Sequence, residues 1–119
     1  MAEETISIMA DFGNGPYAWK RAAGDENRGV GSNIADATCG LSKVIGTSVS
    51  LDKSFADWVI SFERNYEAKD FDWSAFHSQG IALANRLKGE VGDRFKISYR
   101  PPYEDPVRGN LPPCVIERE

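Results

Sequence analysis

The chain has 119 residues, 41% of them hydrophobic and 27% charged, which is typical of one globular domain and excludes a wholly disordered chain. Its formal net charge of −4 argues against a general nucleic-acid-binding role, which needs a basic face. No stretch reaches the roughly 20 apolar residues that span a bilayer, and residues 1–5 lack the basic and apolar parts of a signal peptide. The sequence therefore predicts a cytoplasmic domain with no membrane partner.

The first predicted element is a strand over residues 5–10, where apolar side chains recur with a period of two. Met9 lies on the second face and is also apolar, which favours a central strand covered on both sides. Residues 13–16, Gly-Asn-Gly-Pro, then predict a tight turn, because no phosphate-loop pattern surrounds them. Tyr17 and Trp19 follow two positions apart, which indicates a short extended segment.

A long glycine-rich loop is predicted for residues 20–42, which contain four glycines among polar residues. Within it, residues 33–38 are compatible with a short strand or a helical turn. Residues 43–50 contain several β-branched residues and indicate a further short extended segment.

Two amphipathic helices follow. The first is predicted over residues 51–66, with an apolar stripe at helical period and Ser50 as its N-cap. The second runs from about 73 to 90 with Asp72 as its N-cap. Gly80 interrupts its apolar stripe, which predicts a close approach by another element. The short connection between the helices predicts an antiparallel pair.

The last strong element is a strand over residues 94–100, in which Phe95, Ile97 and Tyr99 are expected to face the interior. Two prolines end it, and residues 114–117 indicate a final edge strand.

These elements predict an α+β fold in a single domain spanning residues 1–119, with a small sheet and a helical hairpin at about 51–91 packed on one face. The strand at 94–100 should pair with the first strand, by a right-handed crossover if the two are parallel. The glycine-rich loop or a second subunit would cover the other face, so a homodimer remains an open alternative.

The candidate catalytic residues are His77, Asp11, Asp36 and Glu104. His77 is the only histidine and lies at the border of the apolar stripe, where a structural role is the more common one. The three carboxylates follow predicted strands or lie in the glycine-rich segment, so they would need to converge on His77 in the fold. Because no metal-ligand or cofactor motif is present, neither a metal nor a cofactor is predicted.

The aromatic residues offer a candidate ligand site. Tyr17, Trp19, Tyr99 and Tyr103 flank the ends of the two predicted strands, and His77 would join them if the strands pair. They would line an apolar pocket for a small molecule or a groove for a protein partner. Core packing is the alternative interpretation of the same residues.

The two cysteines, Cys39 and Cys114, fit no metal-ligand spacing. In a reducing cytoplasm they are predicted to be free thiols, with one disulfide as the alternative.

Two segments carry a resemblance to a class of proteins. They are residues 9–19, and residues 76–88 together with 92–94 and 104–106. They resemble small uncharacterised bacterial proteins of mobile elements and integron gene cassettes over about residues 5–106. The resemblance implies a bacterial accessory protein and assigns no activity to any residue.

Three functions remain open at this point. The first is a non-enzymatic module that binds a small molecule or protein through the aromatic, glycine-rich loop. The second is a small hydrolase or metal-dependent enzyme that uses His77. The third is an acidic inhibitor of a nucleic-acid enzyme, which would present the acidic residues around the helical hairpin: Asp57, Glu63, Glu67, Asp70 and Asp72.

Overall fold

The computed structural model describes residues 4–11, 13–21, 31–68, 70–102 and 114–116, the last segment by its backbone only. It contains five strands and three α-helices in the described residues, which confirms the predicted α+β fold. The elements are β1 (Thr5–Ile8), β2 (Ala18–Arg21), β3 (Ser32–Ala35), α1 (Ser42–Ile45), α2 (Val49–Asn65), α3 (Trp73–Val91), a 3-10 turn (Gly92–Arg94), β4 (Lys96–Tyr99) and β5 (Cys114–Ile116).

The strands form one sheet in the order β3-β2-β1-β4-β5. β1 lies at the centre and all four of its residues are buried, as its two-sided apolar character predicted. It runs parallel to β4, with Ile6 opposite Ile97 and Ile8 opposite Tyr99, whereas the other neighbours are antiparallel. The predicted pairing of the first and the last strong strand is therefore confirmed, and β5 lies at the edge.

β1 and β2 are joined by the predicted turn. The amide of Asp11 donates to the carbonyl of Pro16, and the amide of Met9 donates to that of Tyr17, both at 3.1 Å. Gly15 has a φ of +63°, and a Cβ there would lie 2.9 Å from Cβ of Ala37. Glycine is required at this position both for its backbone conformation and for the close approach of the next segment.

The two long helices begin at different kinds of cap. Asp72 caps α3 as predicted, because its carboxylate accepts from the amide of Ala75 at 3.0 Å. The prediction of Ser50 as the cap of α2 is wrong. Ser48 has the extended backbone of an N-cap and accepts from the amide of Leu51 at 3.3 Å, whereas Ser50 already lies inside the helix.

α2 and α3 form the predicted antiparallel pair. Ser48, before the start of α2, donates its amide to Glu90 near the end of α3 at 2.7 Å. Further along, Nε1 of Trp58 donates to the carbonyl of Phe76 at 3.0 Å. Gly80 permits the close approach that was expected, since a Cβ there would lie 2.5 Å from Tyr99 and 2.6 Å from Trp58.

The predicted loop over residues 20–42 is partly wrong. β2 extends to Arg21, and residues 32–35 form β3, the strand alternative for that segment. The extended segment predicted for 43–50 is also wrong, because α1 begins at Ser42. Asp52 on α2 accepts from the amide of Ser42 at 3.0 Å and also from its hydroxyl, which fixes this short helix against α2. Residues 22–30 lie outside the described residues.

The core lies between the sheet and the helical pair. Ile97 and Tyr99 are buried in it with both helices, and Phe95 packs partly buried against it, as the strand pattern predicted. On the other face of the sheet, Ser7 and Ser98 are buried and their hydroxyls lie 2.9 Å apart. None of the helices in the described parts of the chain combines the length and apolar character needed to cross a bilayer.

Candidate functional site

Tyr17 belongs to the core and is not on a binding surface. Its ring is fully buried and stacks on Phe55 at 4.6 Å between centroids, with 13° between the ring planes. Its hydroxyl accepts from the amide of Leu41 at 3.4 Å. Burial raises the pKa of this phenol well above its ordinary value, so the group stays neutral. A ligand has no access to this side chain.

Trp19 lies on the opposite side of the sheet from the helices. It pairs with Ser7 in the register of β1 and β2, so the two side chains share the face that does not contact α2 and α3. The indole is half-buried, and its Nε1 donates to the carbonyl of Met9 at 2.9 Å. The polar atom of this residue is therefore used within the fold.

His77 and Tyr99 are brought together by α3 and β4. Nδ1 of His77 lies 2.7 Å from the hydroxyl of Tyr99, and the two rings meet edge to face at 5.7 Å. His77 is half-buried, as its place at the border of the apolar stripe predicted, and Trp73 and Phe76 flank it. Tyr99 is only 2% exposed. The two residues are joined by a hydrogen bond and belong to the aromatic core. His77 lies at the edge of this core, where it reaches solvent.

Four of the five predicted ligand-binding residues are described, and of these the structure brings His77 and Tyr99 into contact. It places His77 beside Tyr99 but puts Trp19 on the other face of the sheet. Tyr17 is separated from Tyr99 by the rings of Phe55 and Trp58, which lie between them in the core. Tyr103 lies outside the described residues.

Among the candidate carboxylates, Asp36 is occupied by hydrogen bonds within its own turn. Oδ1 of Asp36 accepts from the amide and hydroxyl of Thr38, at 2.8 and 2.7 Å, and from the amide of Cys39 at 2.9 Å. Partial burial works to raise the pKa of Asp36, but these hydrogen bonds outweigh it and hold the pKa below its ordinary value. Asp36 is thus a turn-stabilising group.

Position also separates Asp36 from His77. Asp36 shares a hollow with Asp52 and Lys53 on one flank of α2. His77 lies on α3 beside Phe76, whose carbonyl accepts from Trp58 of α2. Asp11 is half-buried in the turn between β1 and β2. Glu104 lies outside the described residues.

A metal site is not visible in the part of the chain that the structure describes, where no three His, Cys, Asp or Glu residues are placed to share an ion. Cys39 is exposed and has a free thiol. The side chain of Cys114 is outside the described residues, although its backbone forms part of β5.

An open groove between α2 and α3 is the feature that the sequence analysis missed. Its volume is about 480 Å³. It is lined by Ser54, Asp57, Trp58 and Ser61 of α2 and by Gln79, Ala82, Leu83 and Arg86 of α3. The sequence does contain a signal for this groove: Ser54, Ser61 and Ala82 are small residues that lie beside the two apolar stripes. Small residues leave space where two helices meet.

The groove has an apolar floor and a polar rim. The indole of Trp58 is 4% exposed and is fixed by its bond to the carbonyl of Phe76 and by stacking on that ring at 4.7 Å. Leu83 is half-buried beside it. At one end, Nη1 of Arg86 donates to the hydroxyl of Ser54 at 3.2 Å. The arrangement can hold a small amphiphilic molecule but shows no pair of groups suited to acid–base catalysis.

A second hollow of about 330 Å³ lies beside α1 and the start of α2. Its central carboxylate, Asp52, accepts from the amide and the hydroxyl of Ser42, and the carboxylate of Asp36 is bonded to its own turn. The polar groups in this hollow are thus used to hold neighbouring segments together, which is a structural role.

Comparisons with known proteins found no relative of this chain. The chain matches no protein family model, and neither curated proteins nor solved structures show a detectable similarity to it. The residues themselves are therefore the basis of any functional assignment.

Proposed function

We propose that the protein is a non-enzymatic binding protein and that the groove between α2 and α3 is its binding site for a small molecule. The observation that carries the proposal is the groove of about 480 Å³ with a buried indole at its floor and polar side chains on its rim. Small-molecule sites are concave, largely apolar and carry a few orienting polar groups, and they have volumes of about 300–1,000 Å³.

The groove is supported by rigid surroundings. Trp58 is fixed by a hydrogen bond and by stacking on Phe76, and Gly80 lets Trp58 and Tyr99 pack tightly behind it. Sites on packed helices lose little conformational entropy when a ligand binds, because their side chains are already ordered. This favours the groove over the aromatic loop as the binding site.

The other functions have less support. Binding through the aromatic loop would need Tyr17 to be accessible, and it is fully buried. An enzyme using His77 would need a carboxylate near it, and Asp36, one of the candidates, is bonded within its own turn instead. The bacterial mobile-element origin, the cytoplasmic location and the role of an acidic inhibitor stay predictions, and each is compatible with a binding protein.

The test is a fragment screen by NMR on the ¹⁵N-labelled protein, with and without a block in the groove. Ala82→Trp places a large side chain at an exposed lining position, so the fold should be kept and hits should be lost. Asn85→Trp adds the same ring at an exposed position of α3 that does not line the groove, and it should leave the hits in place.

The proposal is supported if fragment-induced shifts cluster at Leu83, Gln79 and their neighbours, and vanish only in Ala82→Trp. It is contradicted if the hits map elsewhere, or if both tryptophan variants bind fragments as the unmodified chain does.

A further inference from the structure

We propose that the groove selects an apolar small molecule that ends in a carboxylate, with Arg86 as the residue that binds the carboxylate. This inference rests on the proposed function, because it assigns the ligand chemistry of the same groove. It follows from the charges on the groove's rim, the apolar side chains between them and the length of the groove.

Arg86 is held in position by a neutral partner. Its Nη1 donates to the hydroxyl of Ser54 at 3.2 Å, and that hydroxyl in turn donates to the carbonyl of Ser50 at 3.1 Å. Within the described residues, no carboxylate lies at ion-pair distance from Arg86. The guanidinium is therefore oriented without an ion-pair partner among the described residues, and a guanidinium's further N–H donors form a fork that suits a carboxylate.

The one carboxylate on the rim is balanced by a lysine. Oδ2 of Asp57 lies 2.9 Å from Nζ of Lys53, one helical turn away on α2. Both side chains are well exposed, at 68% and 77%, so the pair is solvated and its two charges largely cancel. The unbalanced charge at the groove is then the positive charge of Arg86, which is complementary to an anion.

The apolar chain of the ligand would lie in the middle of the groove, between the polar residues at the two ends of the groove. Trp58, Ala82 and Leu83 occupy the middle of the groove. The α2 residues at the two ends, Ser54 and Ser61, are seven positions apart, which corresponds to about 10 Å along the helix axis. A chain of medium length, such as that of octanoate, matches this span, whereas a folded partner would need a larger surface.

The test compares three probes that share one chain: octanoate, octylamine and octanamide, titrated into the ¹⁵N-labelled full chain. We expect octanoate to shift the amide resonances of Leu83, Arg86 and Ser54 with the strongest affinity. Octylamine should bind about tenfold more weakly or not at all, because it brings a positive charge to Arg86. Octanamide should fall between them, since it keeps the chain but lacks the charge.

Two arginine variants locate the charge. Arg86→Gln should weaken octanoate binding about tenfold and leave octanamide binding nearly unchanged. Arg64→Gln removes an equal charge from an exposed position of α2 outside the groove and should change neither. Circular dichroism and a thermal midpoint establish that both variants are folded.

The inference is overturned if octylamine binds as tightly as octanoate, if Arg86→Gln leaves the octanoate affinity unchanged, or if no probe shifts a groove resonance. Equal binding of all three probes at the groove would end the carboxylate assignment while the proposed function stands. Failure of the proposed function is seen separately, as the absence of any fragment from the groove.

Discussion

The two faces of the sheet are stabilised in different ways. The face towards the helices is apolar, and Ile8, Ile97 and Tyr99 pack there against the aromatic rings of α2 and α3. On the other face, Ser7 and Ser98 share one buried hydrogen bond across the parallel pair β1–β4. The first face depends on the sum of many contacts. The second also contains a specific match between these two serines, so it is sensitive to a single change at either position and tolerant of a paired one.

The largest expected effect is on the helical face. Tyr17→Ala should lower the free energy of unfolding by about 3–5 kcal/mol, because it leaves a cavity beside Phe55. Tyr17→Phe keeps the ring and should cost much less. Urea denaturation followed by circular dichroism measures both. An unchanged midpoint for Tyr17→Ala would show that the ring is not core and would restore the aromatic loop as a candidate ligand site.

The serine face can be examined with a double-mutant cycle. Ser98→Ala leaves the buried hydroxyl of Ser7 without its partner and should cost about 1–3 kcal/mol. The double variant Ser7→Ala/Ser98→Ala removes both hydroxyls and should cost less than the sum of the single changes. Strictly additive costs in chemical denaturation would contradict the coupling of these two residues.

The smallest expected effect concerns two glycines of α3. Gly80→Ala should destabilise the protein by about 1–2 kcal/mol. The new methyl group would lie 2.5 Å from Tyr99 and 2.6 Å from Trp58, which is closer than van der Waals contact, so these rings would have to shift. Gly89→Ala is the matched control. Its Cβ would meet nothing within 4 Å, so the higher helix propensity of alanine should stabilise the protein by up to about 1 kcal/mol.

Thermal or urea unfolding of the two glycine variants gives the sign of each effect. Opposite signs would separate tight packing from intrinsic helix propensity within one helix. Stabilisation by both changes would mean that Tyr99 and Trp58 can move aside, and that the helical face is less tightly packed than its distances indicate.

The long elements were predictable because each has its own periodic signal. The apolar stripes located α2 and α3 to within two residues, and the alternation of Phe95, Ile97 and Tyr99 located β4. Asp72 was identified as a cap because it directly precedes the second stripe. These features depend on residues that are close together in the sequence, so they can be identified from one sequence alone.

The short elements were not predictable in the same way. α1 has four residues and is held by the carboxylate of Asp52, ten positions away, so its helical form depends on a tertiary contact. Ser48 rather than Ser50 is the N-cap of α2 because the extended backbone ends at Ser48, and the sequence composition does not show where that backbone ends. Tertiary contacts decided both.

The candidate site was only partly predictable. The proximity of His77 to Tyr99 was predictable, because His77 lies at the border of the apolar stripe of α3 and Tyr99 follows the alternating pattern of β4. The burial of Tyr17 did not, because an aromatic residue after a turn is equally compatible with core and surface. The groove between the helices arises from the relative placement of Ser54 and Ala82 on different helices, which no single-helix pattern contains.

The parallel pairing of β1 with β4 has a consequence for the order of folding. The two strands at the centre of the sheet are far apart in the chain, and the bonded residues Ser7 and Ser98 are separated by 91 positions. Contacts of such high sequence separation form slowly, since a long loop must close before they stabilise it. During synthesis, β1 can pair with β2 early, but its other edge waits for β4 until residues 96–99 have left the ribosome, and chaperones can recognise that open edge in the interval.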